Sequence, residues 1–130
     1  MDKAAQSAVC YLSFSRASPV GRYMKSRKLS QMRALLSALQ ISIQDVYVDE
    51  GFEPGAADKP GLRRILDQLP TREFDVFVAG SMYDLGHDFL DCVTTLRYLV
   101  EHHIRVICLD NHIDSAIDAS FTYGIIDNCR

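Results

Sequence analysis

Two kinds of apolar pattern alternate along the chain. Ala8-Val9-Cys10-Tyr11-Leu12-Ser13-Phe14 is a nearly continuous apolar run, rich in strand formers and too short for a typical helix. It predicts a strand covered on both faces. Pro19 and Gly21 then read as loop punctuation, after which Leu29, Met32, Leu36 and Leu39 recur at three- and four-residue spacing, the stripe of a helix packed on one side. Gln44 to Asp49 reads as a second strand, and Glu50 to Asp58, with Gly51, Pro54 and Gly55, as a loop. Pro60 suits the first turn of a helix, where its missing N–H loses no partner; Leu62, Ile65, Leu66 and Leu69 supply the stripe and Pro70 the stop. Asp75 to Ala79 predicts a third buried strand, Gly80 to His87 a loop, and Phe89, Val93, Leu96 and Val100 a third helix. Ile104 to Leu109 reads as a fourth strand. Beyond Asp110 the pattern weakens, with Phe121 to Ile126 as a candidate short strand.

Strands alternating with helices imply an α/β domain with a mostly parallel central sheet of four or five strands and helices on both faces. Ligands of such sheets bind beyond the carboxyl ends of the strands, where the strand order reverses. The functional loops to expect are therefore Ser15 to Arg27, Glu50 to Lys59, Gly80 to His87 and the segment after Leu109.

A length of 130 residues fits one domain spanning 1–130, and 48% hydrophobic with 24% charged residues excludes a disordered or fibrous chain. No apolar run approaches the roughly 18 to 20 residues of a membrane span, and the first residues lack the regions of a signal peptide. The expectation is a cytoplasmic protein with no membrane partner. Cys10, Cys92, Cys108 and Cys129 are scattered without a C-x-x-C pair, as expected of buried reduced thiols. Cys108 with His112, or His102 with His103, falls short of a four-ligand set, so no metal is expected. With neither G-x-G-x-x-G nor a P-loop present, no nucleotide cofactor is expected by those routes.

The net charge of −3 is unevenly spread. Residues 1–40 carry seven Lys/Arg against the single acid Asp2, and the rest carry seven against sixteen. The basic excess gathers in Arg22-Tyr23-Met24-Lys25-Ser26-Arg27-Lys28, a segment placed to face an anion or simply to be solvated at a helix start. Just before it, Ser13, Ser15 and Ser18 bring hydroxyls to the end of the first strand. A serine there serves as a cap or turn residue unless a base or cation cluster activates it.

Four segments in order bear a resemblance to a known family. Tyr11-Leu12-Ser13-Phe14-Ser15 is similar to Y-x-R-V-S, Val48-Asp49-Glu50-Gly51 to D-E-G, Lys59-Pro60-Gly61-Leu62 to R-P-G-L opening a helix, and Asp75 to His87 to D-V-V-V-x-x-K-L-D-R-L-G-R. From about Ala8 to Ser115 the chain resembles the catalytic domain of resolvase/invertase-type serine recombinases. The resemblance implies a resolvase-like three-layer fold and a site-specific recombination chemistry used in DNA integration and inversion. A serine attacks a DNA phosphodiester to give a phosphoserine link, and strand exchange and religation follow without metal or cofactor. Ser15 falls at the nucleophile position.

The departures bear on the same chemistry. The family's arginines grip the scissile phosphate, and their positions here hold Ser13, Lys59, Asp84 and His87, while the third-strand motif's lysine and first aspartate become Ser81 and Tyr83. Losing one preorganised donor to a developing oxyanion raises a barrier by about 2.7 to 4 kcal/mol. Three lost arginines would add roughly 8 to 12 kcal/mol if the terms were independent, which groups acting as a unit are not. Asp84 repels a phosphate where its counterpart attracts one, and Lys59 lacks the bidentate fork of a guanidinium. The expectation is a degenerate domain, weakly active or inactive in cleavage, with a retained DNA- or protein-interaction role. Its expected partners are DNA, weakly bound or lost, and a second copy or another recombinase.

Other readings stay open at this point. The domain is an active recombinase if Lys59, Arg16, Arg22, Lys25 and Arg27 hold the phosphate instead. A register shifted by three residues places Arg16 and Ser18 in the R-x-S pattern, but carries the serine beyond the apolar strand and spoils its spacing to Asp49. A His87–Asp84–Ser15 triad would require the imidazole to bridge carboxylate and hydroxyl. The first strand and loop also resemble the TIR signalling domains, whereas the middle of the chain matches them poorly. The family's long dimer helix and separate DNA-binding region have no counterpart in the weakly patterned residues after Asp110.

Overall fold

Side chains along β1 (Ser7–Phe14) alternate between two separate hydrophobic cores, the period-two signature of a strand buried on both faces. Val9 and Tyr11 point into one core and Ala8, Cys10 and Leu12 into the other. The structure, a computed structural model, describes residues 6–14, 19–50, 59–71 and 73–117, with backbone alone for 19–22. After β1 come α1 (Pro19–Ala38), β2 (Ser42–Glu50), α2 (Pro60–Asp67), β3 (Val76–Ala79), α3 (Phe89–Glu101), β4 (Arg105–Cys108) and β5 (Ile113–Asp114). Single 3-10 turns cover Leu69–Thr71 and Met82–Leu85.

The sheet runs β2-β1-β3-β4-β5, with the first four strands parallel and β5 antiparallel to β4. Met32 and Leu36 of α1 cover one face, packing on Cys10, Leu12, Val76 and Val78. Leu62 and Ile65 of α2, with Leu96 and Leu99 of α3, cover the other, against Val9, Tyr11, Phe77 and Val106. This is the three-layer α/β arrangement expected from the sequence. The chain leaves β1 for β2 on one side and returns to β3 on the other, so the carboxyl ends of β1 and β3 flank the switch point where such sheets bind ligands.

The elements depart from the sequence pattern in three places. Pro19 and Gly21 lie in the first turn of α1 instead of a loop, because proline's fixed φ suits an opening turn. Pro70 falls inside the 3-10 turn, and α2 has already ended at Asp67. A fifth strand forms at Ile113–Asp114, two residues that no periodicity could reveal, where Asp114 Oδ1 and Oδ2 accept from Arg105 Nε at 3.0 Å and Nη2 at 2.7 Å. The expected strand at Phe121 to Ile126 and most of the loop from Glu50 to Lys59 lie outside the described residues.

α1 and α3 end alike. Gln40 (φ 59°) and His103 (φ 62°) turn left-handed, and the next amide reaches back into the last turn, Ile41 to Leu36 O at 2.9 Å and Ile104 to Leu99 O at 3.1 Å. Both isoleucines are buried, so each helix is stopped and its chain sent straight into the following strand.

Candidate functional site

The site is built from the ends of β1, β2 and β3. Parallel pairing sets Ser13 beside Asp49, and Asp49 is only 3% exposed. Its carboxylate accepts from the Tyr11 hydroxyl at 2.6 Å, from the Gly61 N–H at 2.8 Å and from the Leu62 N–H at 3.2 Å. The two amides belong to the first turn of α2, which has no partner of its own for them, and Lys59 at the cap position makes no side-chain cap. Asp49 therefore caps α2 from a neighbouring strand, adding a negative charge at the positive end of the helix. Burial first, and then Asp49, push the Tyr11 phenol well above its usual range, so it stays a hydrogen-bond donor.

That anchoring fixes Lys59. Its Nζ donates to the backbone carbonyl of Asp84 at 3.0 Å, tying the start of α2 to the turn after β3. Ser81 caps this turn by accepting from the Tyr83 N–H at 3.2 Å, and Asn111 Oδ1 accepts from the Met82 N–H at 2.7 Å. The Asp84 carboxylate is thereby turned inward. It lies beside the Ser81 and Ser13 backbone and in the field of Lys59 and Lys28. A Cβ on Gly80 would stand 3.4 Å from Asp84 Oδ2 and 3.0 Å from Leu12, so glycine leaves the space the carboxylate needs. Burial dominates its titration and pushes the carboxyl up to about 6, against the opposing pull of Lys59, the neighbouring Ser81 and Ser13 backbone and Lys28. Lys28, largely buried, is also ion-paired to Asp110 beyond β4.

Two lysines, Lys28 and Lys59, and three carboxylates, Asp49, Asp84 and Asp110, thus gather around the switch point. Three residues singled out from the sequence, Ser13, Lys59 and Asp84, are brought together there. His87 is not: its Nδ1 lies 2.9 Å from Asp91 Oδ2 and its Nε2 3.3 Å from Asp88 Oδ2, at the exposed start of α3. The imidazole thus joins the carboxylates that receive the Asp91 and His87 amides, and the triad geometry with Asp84 is not formed. Lys25 pairs with Glu50 at 3.2 Å on the rim, and Arg27 is exposed. Ser15 and Arg16 lie outside the described residues, as does the side chain of Arg22. Sequence reasoning missed Lys28 and Asp110 as members of the site. Lys28 stood in the basic run, but nothing local marked the partner across the sheet.

Among the described residues no group of His, Cys, Asp and Glu is arranged to hold a metal ion. Cys10, Cys92 and Cys108 are free and buried, and burial raises all three thiols, Cys10 to about 11 and Cys108 to about 12, which makes them poor nucleophiles. No helix of the described residues is long and apolar enough to cross a membrane.

Known proteins place this architecture. Residues 8–127 match the family described as Resolvase, N terminal domain. The fold is similar to the N-terminal catalytic domain of TP901-1 integrase, with a TM-score of 0.82 at 16% identity over 92% of this chain and 91% of that one. It is also similar to a resolvase family site-specific recombinase from Streptococcus pneumoniae, with a TM-score of 0.75 at 16% identity over 92% and 83%. A third likeness is to the C-terminal catalytic domain of ISC1926 TnpA, an IS607-like serine recombinase, with a TM-score of 0.66 at 15% identity over 79% and 67%. No curated protein matches the chain. The chain belongs to the resolvase family, through its N-terminal catalytic-type domain.

Proposed function

We propose that this chain is a degenerate serine recombinase domain, which keeps the scaffold for DNA strand cleavage and exchange but not the cation cage that makes its serine reactive. The observation that carries the reading is the inward Asp84 carboxylate, set among Ser13, Lys59 and Lys28 at the β1–β3 switch point. An anion already stands where a scissile phosphate would need cations. Of the lysines nearby, Lys25 and Lys28 are each paired with an acid, and Lys59 is spent on the Asp84 carbonyl. Among the described residues, a phosphodiester arriving there meets a centre with no net positive charge, and barrier lowering by preorganised donors is lost. The domain then acts through binding: weakly to DNA, or to a second copy or another recombinase. Tyr83, Phe89 and Leu90, exposed beside the start of α3, supply apolar surface for such contacts. No metal or nucleotide enters this reading, since phosphoserine chemistry asks for neither.

The test compares the chain with its Ser15→Ala variant on supercoiled plasmid, reading nicked circles and protein-linked DNA after denaturation. The proposal predicts that the two are indistinguishable. Nicking or a covalent adduct that disappears with Ser15→Ala would overturn it in favour of an active enzyme using substitute cations.

A further inference from the structure

We propose that the open edge of β2 is a docking groove for one extended segment of another protein, which adds to the sheet as a strand along residues 46–50 and brings an acidic side chain to Arg64. The inference goes beyond the reading above and does not depend on any chemistry of Ser15.

β2 is an end strand of the sheet, paired among the described residues with β1 alone. The backbone groups of alternate residues therefore face outward, a ready template for a further strand. One hydrogen bond shows which residues these are. The Val46 N–H donates to Oδ1 of the preceding Asp45 at 2.9 Å, so it points away from β1, and by alternation the N–H and C=O groups of Val48 and Glu50 do so too. The first half of the edge is blunted in two ways. The ladder slips at residue 44, where Ala8 pairs with Ile43 but Val9 with Asp45, and the Asp45 carboxylate then occupies the next outward amide. From Asp45 to Glu50 the register is regular.

A groove of about 540 Å³ follows this edge, lined by residues 45–49 on one side and by Pro60, Gly61 and Arg64 of α2 on the other. With a rise of about 3.3 Å, strands about 4.8 Å apart and layers about 10 Å apart, one strand residue fills roughly 160 Å³. The groove therefore has room for about three residues of a single strand, which suits the short open stretch of β2. Charge selects the occupant. The acids along the edge are already engaged: Asp45 on the Val46 amide, Asp49 in the cap of α2, and Glu50 with Lys25 at 3.2 Å. Arg64 is exposed and has no ion pair or hydrogen bond among the described residues, so the groove keeps one uncommitted positive charge. It stands on the α2 face, where the half-buried Tyr47 supplies an apolar floor. An incoming strand turns every second side chain to that face, and an Asp or Glu among them would meet the guanidinium fork. A second copy of β2 answers this charge poorly, because its own acids are engaged in the same way. Main-chain pairing for affinity with one charged side chain for selection is the mode of strand addition to a sheet edge.

The probe is a capped peptide about seven residues long, alternating threonine and valine, with glutamate in place of the central valine. Binding to the intact chain is followed by the backbone amide shifts of the protein. The peptide should bind with a Kd of about 1 mM or tighter and move the amides of Val48 and Glu50. Lysine in place of the peptide's glutamate, or Arg64→Gln in the protein, should weaken binding by about threefold or more. Methylating alternate backbone nitrogens of the peptide removes its main-chain donors without altering the protein, and should abolish binding. Thermal denaturation confirms that Arg64→Gln is folded. Val48 and Glu50 amides that stay still at several-fold higher peptide concentration, equal binding by the methylated peptide, or a folded Arg64→Gln protein of unchanged affinity overturns the proposal. So does a dimer of the free chain that shields those two amides, since a second copy then owns the edge. Plasmid nicking that Ser15→Ala abolishes would overturn the loss of catalysis and leave the groove untouched, so the two failures are distinguishable.

Discussion

Asp84 brings a charge to a position where burial resists it, and folding stability must record the conflict. Its carboxyl is raised from 3.8 to about 6, with burial as the largest cause. Between those values the folded protein still holds a proton that the unfolded chain has released. Stability from this residue therefore falls as pH rises from about 4 to about 6 and is level beyond, the reverse of a carboxylate depressed by an ion pair. Asp84→Asn cannot ionise. It should match the wild type near pH 4 and exceed it above pH 7 by on the order of 2 kcal/mol, as read from urea unfolding at a series of pH values. A difference that does not change with pH, or a wild type that is the more stable at neutrality, would contradict the buried charge. At this scale the sequence was informative at three motif positions, Ser13, Lys59 and Asp84, which lie together at the strand ends. It was silent on Lys28, whose partner Asp110 is 82 positions away and is met only when α1 folds across the sheet. His87 was legible as a motif position, yet its real partner sits four residues on, at Asp91.

Among the elements, α2 depends most on a residue outside itself. It is eight residues long, and the first-turn amides of Gly61 and Leu62 end on Asp49, 12 and 13 positions upstream. Asp49→Ala would leave those two N–H groups and the Tyr11 hydroxyl without their acceptor. The expected loss is about 3 kcal/mol or more, since each buried donor left unpaired costs roughly 1 to 3 kcal/mol. Tyr11→Phe removes one of the three bonds while keeping the ring, and should lose only about 1 to 2 kcal/mol. Gly61→Ala tests the same anchor from the helix side. Alanine is favoured by helix propensity, yet its Cβ would lie 2.9 Å from Asp49 Oδ1, so the carboxylate must shift. We expect a net loss of about 1 to 3 kcal/mol, with denaturant midpoints as the readout; a stabilised Gly61→Ala protein would show that Asp49 does not hold the helix. Element boundaries were readable where periodicity was long, as in α3, and failed where chain geometry decided. Pro19 can open a helix or sit in a loop depending on the residues after it, and the two residues of β5 are held by Arg105 and not by any pattern of their own.

For the whole molecule, the order of strands and helices was legible because β1, β3 and β4 are apolar on both faces and each helix on one, and that pattern survives at 16% identity to a fold with a TM-score of 0.82. Strand order was not in the pattern; the structure supplies it, and it fixes the switch point where β1 and β3 diverge. On the proposed reading, what separates this chain from a strand-cutting domain is a matter of charge at that point and not of architecture. The charge is directly measurable. In the intact chain labelled with carbon-13 at aspartate, the Asp84 carboxyl carbon, assigned with Asp84→Asn, should titrate with a midpoint near 6. A midpoint at the ordinary value of 3.8 would put the carboxylate in solvent and contradict the account.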